Sequence, residues 1–113
     1  MAVPFTSLSA ATATGPGASH DLGELAAHHT MLSTVTGRAS GWTIVLEGSH
    51  DDAHWVSLGQ SSGSSTATIE TTVPTTALPG TLVRYVRANL TDLTGGSSPT
   101  VTATIASDTE QDS

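Results

Sequence analysis

The most informative absences in this 113-residue chain are those of cysteine and lysine. Without cysteine there are no disulfides, no thiolate metal ligands and no cysteine nucleophile, so the fold depends on packing and hydrogen bonds. Arginine supplies all 3 basic residues, which stand against 10 acidic ones and leave a formal charge of −7. Nucleic-acid binding draws most of its non-specific affinity from neutralised phosphates, and anionic membrane surfaces repel acidic proteins. We therefore predict neither nucleic acid nor membrane as a partner.

Large apolar side chains and long apolar runs are also scarce. Aromatic residues make up 4% of the chain, so the core must be built largely from Val, Leu, Ile and Ala. No apolar run approaches the roughly 20 residues of a membrane-spanning helix. The N-terminal segment has no basic region and no long apolar run, which predicts synthesis in the cytoplasm without a signal peptide. A single core is expected at this length, and one so short of large residues favours self-association.

What the chain does have is a two-residue alternation of apolar and polar residues between turn signals. About seven or eight short strands at regular spacing predict an all-β chain, folded as a single antiparallel β-sandwich or jelly roll. The segment 42–59 is nearly a complete β-hairpin, with one tryptophan in each arm. The residues predicted for the structural core are Trp42, Ile44, Leu46, Trp55, Leu58, Val101 and Ile105.

The domain organisation follows from composition. Residues 1–17 are rich in Thr, Ser and Ala and predict an extended N-terminal arm or edge strand, followed by the β-sandwich domain over 18–106. Residues 107–113 are acidic without an apolar side chain, which predicts a disordered tail.

Finer expectations concern three places within the sandwich. We expect at most one helical turn within 22–31, a Ser/Gly loop at 60–65, and Val83 on the same strand face as Tyr85 rather than with the apolar set.

The hairpin tip carries the densest cluster of polar side chains, which is formed by His50, Asp51, Asp52 and His54. Histidine and carboxylate groups together are ligands for divalent metals, but their spacing here matches no recognised metal motif. Asp and Ser are ordinary turn residues because their side chains bond to their own backbone. The chain also lacks a GxSxG nucleophile turn and a phosphate-binding loop. We predict a solvated turn, with no metal site, no cofactor and no enzyme activity.

Three further side chains are candidates for partner contacts. Arg84 and Arg87 are three residues apart on one predicted strand and project to opposite faces, so at least one is expected to reach an acidic group on another subunit. Phe5, in the arm, is the third candidate. An alternative hypothesis is a carbohydrate-binding module, in which Trp42, Trp55 and Tyr85 stack on sugar rings.

The segment LEGSHDDAHWVSLG resembles small virion proteins of tailed bacteriophages, especially those of actinobacterial hosts. In those proteins a strand ending in L-E-G-S-x-D leads through a short turn into W-x-x-L-G. The later segments LVRYVRANLT and TGGSSPTVTATIA are similar to their two closing strands, and the opening TSLSAATATGPGASHDLG belongs to the same likeness.

This resemblance implies a structural protein of the virion that binds its partners without catalysing a reaction. The leading expectation is a capsid decoration protein that binds the major capsid protein as a small cyclic homo-oligomer, for example a trimer. The alternative within the same class is a tail-associated virion protein. In either case the protein is made in the host cytoplasm and ends in the virion.

Overall fold

The computed structural model describes residues 5–26, 28–37, 39–63, 67–73, 83–96 and 98–108, and the regular secondary structure in these ranges is entirely β-strand. The strands are β1 (Phe5–Ala11), β2 (Gly15–Pro16), β3 (His20–Ala26), β4 (His28–Thr36), β5 (Gly41–Ser49), β6 (Trp55–Gly63), β7 (Ala67–Val73), β8 (Val83–Thr94) and β9 (Thr100–Asp108).

These strands form two antiparallel sheets. Sheet I is four-stranded, in the order β1-β9-β4-β7. Sheet II is five-stranded, with the order β2-β8-β5-β6 and with β3 also paired to β8. The predicted all-β antiparallel sandwich is confirmed.

The core lies between the sheets because alternate residues of each strand point inward. In sheet I, Met31 pairs with Ile105 and Val35 with Val101, so the inward side chains of β4 and β9 lie next to each other. Together the two sheets contribute one contiguous apolar cluster. Its buried members are Leu8, Met31, Val35, Ala39, Trp42, Ile44, Leu46, Val83, Val86, Ala88, Leu90, Val101, Ala103 and Ile105.

Two residues predicted for the core differ from that prediction. Trp55 is half-buried and pairs with Ser49, which places it on the outward face of the hairpin, opposite Trp42 and Leu46. A register shift in the β5–β6 pairing falls at Leu58, which is half-buried and packs against the edge of the core. An extra residue of this kind reverses the faces of a strand, and alternation alone does not locate it.

Val83, in contrast, is buried although the alternation places it on the outward face. The reason lies in β5, where Gly48 has no side chain. A Cβ atom at Gly48 would lie 2.6 Å from Val83 Cγ1, so the valine occupies the space that glycine leaves.

Three boundaries also differ from the sequence-based expectation. The segment 22–31 lies in β3 and β4, with no helical turn in its described residues. Residues 60–63 continue β6 instead of forming a loop, and 64–65 lie outside the described residues. Ser107 and Asp108 belong to β9 because the pairing with β4 continues through them, whereas the rest of the predicted tail is not described.

The N-terminal strand fastens the two sheets to each other. β1 pairs with β9 at the edge of sheet I, and the chain then crosses to pair with β8 of sheet II. At the crossing the Ser7 hydroxyl donates to Ala18 O at 2.7 Å and accepts from Ala88 N at 2.8 Å. Gly17 N donates to Ala88 O at 2.7 Å. Residues 5–11 are thus engaged in the chain's own sheet.

A buried histidine joins β4 to the end of β9. His29 is 2% exposed, and its Nε2 lies 3.2 Å from Ala26 O, which can only accept a hydrogen bond. The Nε2–H therefore donates to Ala26, and Nδ1 accepts from the Ser107 hydroxyl at 2.7 Å. Burial is the main cause that holds the pKa of His29 below its ordinary value of 6.5.

We expect this histidine to make the fold less stable in mild acid. Because the pKa is lower in the folded than in the unfolded chain, the unfolded chain binds the proton more readily. The stability that neutral His29 contributes to the fold is complete above a pH of about 6.5 and is lost as the pH falls from there through the folded-state pKa. Urea unfolding at a pH of about 7.5 and about 5 measures the loss.

The matched control for this experiment is the neighbouring exposed residue, His28. The variant His28→Gln should keep most of the pH dependence of the wild type, because burial outweighs the charge of His28 in lowering the pKa of His29, whereas His29→Gln should flatten it. Equal pH dependence in both variants would assign the effect to other groups.

Candidate interaction surfaces

The hairpin tip is a closed turn in which one carboxylate organises the backbone. Asp51 Oδ1 accepts from the amides of Ala53 and His54, each at 2.9 Å, and from the Ser49 hydroxyl at 2.9 Å. Asp51 Oδ2 lies 2.7 Å from His54 Nδ1. These bonds, led by the one from the His54 amide, hold the pKa of Asp51 well below its usual range. The geometry is that of a turn stabilised by its own side chains, as predicted.

Metal-ligating groups do not converge at this tip. Within the described part of the chain, no group of three or more His, Cys, Asp or Glu side chains is placed to hold a metal ion. A cleft beside the tip has Gly48, Val56 and Val83 among its lining residues, and its rim includes Asp51 and His54. Since those two rim groups already bond to each other, the cleft adds no separate chemistry.

Arg87 lies in a compact polar cluster on the outward face of sheet II. Its Nε donates to Glu47 Oε1 at 2.7 Å, and Asn89 Nδ2 donates to Glu47 Oε2 at 3.2 Å. The guanidinium stands 4.1 Å from the ring centroid of Trp55, a cation–π distance. The Arg87 and Glu47 side chains are 21% and 15% exposed, so the acidic group nearest to Arg87 belongs to its own chain.

Arg84 also has an acidic partner in its own chain. Its Nε and Nη2 donate to the two carboxylate oxygens of Asp21 at 2.7 and 3.0 Å, which fastens β3 to β8. Hydrogen bonding to Arg84 is the main cause that lowers the pKa of Asp21. Both groups are nearly half exposed, so the pair adds little stability. We expected a partner on another subunit for at least one arginine, and such a contact stays a prediction.

Phe5 is the third candidate contact, and it too has a neighbour in its own chain. Its ring stacks on His20 with centroids 4.6 Å apart and an interplanar angle of 20°. This stack joins β1 to β3, which belong to different sheets. Phe5 and Arg84 thus contact adjacent residues of β3, His20 and Asp21, whereas Arg87 contacts Glu47 of β5.

The aromatic side chains considered for sugar stacking are not presented together. Trp42 is 2% exposed and belongs to the core. Trp55 has Arg87 over its ring, and Arg84 lies 5.6 Å from the ring centroid of Tyr85. Each candidate ring is thus buried or has a guanidinium close to it.

Formal charge is distributed unevenly between the two sheets. Most formal charges lie in strands of sheet II or in the connection between β5 and β6. These residues are Asp21, Glu24, Glu47, Asp51, Asp52, Arg84, Arg87 and Asp92. Sheet I carries Glu70, which pairs with Leu32, and Asp108, which pairs with His28.

The outward side of sheet I is rich in threonine. Strand register aligns Thr102 with Thr34 and Thr100 with Thr36, whose hydroxyl oxygens are 2.5 Å apart. Leu32 lies opposite Thr104 and is 45% exposed. We call this surface the threonine face and define it as Thr6, Thr30, Leu32, Thr34, Thr36, Thr100, Thr102 and Thr104.

The threonine face was missed as a functional surface in the sequence, although its residues were visible as outward positions. In β4 and β9 these threonines alternate with the buried side chains, as predicted. The sequence does not show that β4 and β9 are neighbours in the sheet, because they are far apart in the chain.

Comparison with known proteins identifies a similar fold. No family model and no curated protein matches the chain. Among solved structures, the crystal structure of SPBc2 prophage-derived protein YomS matches with a TM-score of 0.60 and 13% sequence identity. The match covers 96% of this chain and 94% of that chain. At this identity the similarity concerns the fold alone, over nearly the whole length of both chains.

Throughout the part of the chain that the structure describes, no helix has the length and apolar character needed to cross a membrane.

Proposed function

We propose that this protein is a structural component of a tailed bacteriophage virion. In this proposal it is a capsid decoration protein that binds the major capsid protein in many copies, as a small homo-oligomer, and acts by binding without catalysis. It is made in the host cytoplasm and resides in the virion.

The observation that carries the proposal is the unequal character of the two outward sides of the sandwich. Sheet II holds most of the formal charges, and its two arginines already pair with carboxylates in strands of the same sheet. Sheet I presents a block of threonines with the exposed Leu32 among them, and its acidic positions are Glu70 and Asp108. A protein that covers a shell needs a patch that can lose its water, and the threonines of β4 and β9 supply such a patch.

The fold comparison supports the same class. YomS is described as prophage-derived, and its fold matches this chain almost end to end. The likeness of segments 46–59, 82–91 and 94–106 to strands of virion proteins points in the same direction.

The test is binding to empty shells assembled from the major capsid protein of the same genome. We expect the purified protein to co-sediment with these shells and to saturate at a fixed ratio of copies per capsid subunit. An unrelated acidic protein of similar charge is the control for non-specific trapping. A chain that stays in the supernatant at all concentrations would count against decoration.

Imaging of virions separates decoration from a tail location. Deletion of the gene should remove regularly spaced protrusions from the shell and leave the tails intact. Intact shells with defective tails would favour the tail-associated alternative.

A further inference from the structure

We infer that the outer edge of β6 docks a second copy of this chain, whose own β6 pairs with it in antiparallel orientation. The inference rests on the homo-oligomer of the proposed function and names its interface. It does not require the capsid, so self-association and shell binding are tested separately.

The outer edge of β6 is open. β6 is the last strand of sheet II, and within the described part of the chain only β5 pairs with it. The free edge of such a strand presents backbone N–H and C=O groups that can pair with another chain. Five of its nine residues are exposed, namely Val56, Ser57, Gln60, Ser62 and Gly63. A further strand can therefore reach this edge.

The other edges of the sandwich carry features that hinder strand addition. β1 has two register shifts in its pairing with β9, and Ala10 within it has a φ of 49°. The far edge of sheet II is divided between β2 and β3 and includes Pro16 and Asp21, while β7 includes Glu70. Charge, proline and irregular pairing are the means by which natural edges avoid pairing. β6 contains no charged residue and no proline.

The last five residues of β6 are self-complementary. They follow the register shift of this strand and pair with β5 without interruption. Two identical strands related by a twofold axis are antiparallel, and an axis at Ser61 places Gly59 opposite Gly63 of the second copy. Gln60 then lies opposite Ser62. Each pair joins residues on the same face of sheet II, and their small size permits close approach.

The hydroxyl group of Ser61 is a second observation that points to a copy of the same strand. Its side chain is buried, and its oxygen has no hydrogen-bond partner in the described part of the chain. A buried polar group without a partner is destabilising, and nearly all such groups in native proteins have one. With the axis at Ser61 the two hydroxyl groups lie directly across the strand pair, where they can bond to each other.

The twofold arrangement also separates most acidic groups of this chain. Each acidic hairpin tip lies beyond Trp55, so the two tips are roughly 40 Å apart at about 3.3 Å per residue. This distance exceeds the screening length of about 8 Å several times. Glu47 accepts hydrogen bonds from Arg87 and Asn89 of its own chain. Glu70 adds a like charge at the adjoining edge of sheet I, so salt should leave the dimer unchanged or strengthen it.

The paired section is short, which predicts a weak dimer. Five residues at about 3.3 Å each span about 17 Å, whereas a standard interface buries about 800 Å² per partner. We therefore expect a reversible dimer that forms as the protein concentration rises from micromolar to submillimolar. Copies held side by side on a shell have a high local concentration, at which such a pair is populated.

The test compares two double variants at Gln60 and Ser62, which lie opposite each other across the dimer. Gln60→Glu with Ser62→Glu places like charges together, and sedimentation equilibrium should show dimerisation weakened about tenfold or more. Gln60→Lys with Ser62→Glu places opposite charges together, and dimerisation should lie within about threefold of the wild type or be tighter. Both variants change the same exposed positions, and circular dichroism should show a folded sandwich for each.

The matched control adds two negative charges away from β6. Leu25→Asp with Leu32→Asp changes side chains of β3 and β4 that are 46% and 45% exposed. We expect its dimerisation to stay within about twofold of the wild type, because neither residue lies at the β6 edge. A loss as large as that of the two glutamates would assign the contact to another surface.

Three results would overturn the inference. They are a wild-type chain that stays monomeric at millimolar concentration, a trimer in place of the dimer, and a dimer that both variants at Gln60 and Ser62 leave unchanged. A steep loss of the dimer with salt would count against it as well, since that requires opposite charges in the interface. A dimer that responds as expected in a protein that binds no shells would support the inference and refute decoration.

Discussion

Replacement of Trp42 by alanine should lower the free energy of unfolding by about 3 to 5 kcal/mol. Trp42 is the largest of the fully buried side chains and is 2% exposed. Its removal would leave a cavity in the core near one end of sheet II, next to Gly63, where a Cβ atom would lie 2.9 Å from the indole ring. Small domains have about 5 to 15 kcal/mol of net stability, so this loss removes a large share of it. Urea unfolding followed by far-ultraviolet circular dichroism measures the change.

The matched control is the other tryptophan of the same hairpin. Trp55 is half-buried on the outward face and contacts the Arg87 guanidinium, so Trp55→Ala should lower the free energy of unfolding by about 1 kcal/mol. The same chemical change is thus made once in the core and once outside it. Equal losses in both variants would mean that Trp55 supports the fold as strongly as Trp42 does.

The contrast between these tryptophans indicates how far alternation predicts a strand. In β4, β5 and β9 the predicted faces are correct, because each strand keeps an uninterrupted period of two. In β6 the predicted core includes Trp55, yet the strand carries a register shift at Leu58 that reverses its faces. A bulge depends on how two strands pair, and a single strand contains no period that reveals it.

The threonine face could not be recognised from the sequence for a related reason. Each of its threonines belongs to a visible alternation, but β1, β4 and β9 come from separate parts of the chain. The threonines form one surface only because those strands are neighbours in the sheet. The pairing of His29 with Ser107, 78 positions later, is likewise a product of topology.

The predicted roles of the arginines depended on the same missing knowledge. At least one of Arg84 and Arg87 was expected to reach an acidic group on another subunit, and that contact stays a prediction. Within the chain Arg84 pairs with Asp21 and Arg87 with Glu47, since β3 and β5 flank β8 on its two sides. Local composition shows that carboxylates are plentiful, but only the strand order shows which carboxylate is adjacent.

Replacement of Gly17 by alanine is expected to lower the free energy of unfolding by about 3 kcal/mol or more. A Cβ atom at this position would lie 2.2 Å from the Ser7 carbonyl oxygen and 2.7 Å from its carbonyl carbon. These are backbone atoms, so a side-chain rotation cannot relieve the contact. Ser7 O accepts from Ala18 N at 2.8 Å, and Gly17 N donates to Ala88 O at 2.7 Å. Separation of the strands would therefore break hydrogen bonds that join β1 of sheet I to β8 of sheet II.

Gly41→Ala is the control, because a Cβ atom there meets the Thr94 hydroxyl oxygen at 3.1 Å, at the end of a side chain that can rotate. Gly41→Ala should lower the free energy of unfolding by less than about 1 kcal/mol. Thermal unfolding of the two variants side by side measures the difference. A Gly17→Ala protein as stable as Gly41→Ala would mean that the crossing between the sheets adapts without loss. If the large loss is found, hydrogen exchange should place it first in the amides of β1, since their pairing with β9 depends on the same crossing. Such opening would expose the edge of β9 and, with it, one border of the threonine face.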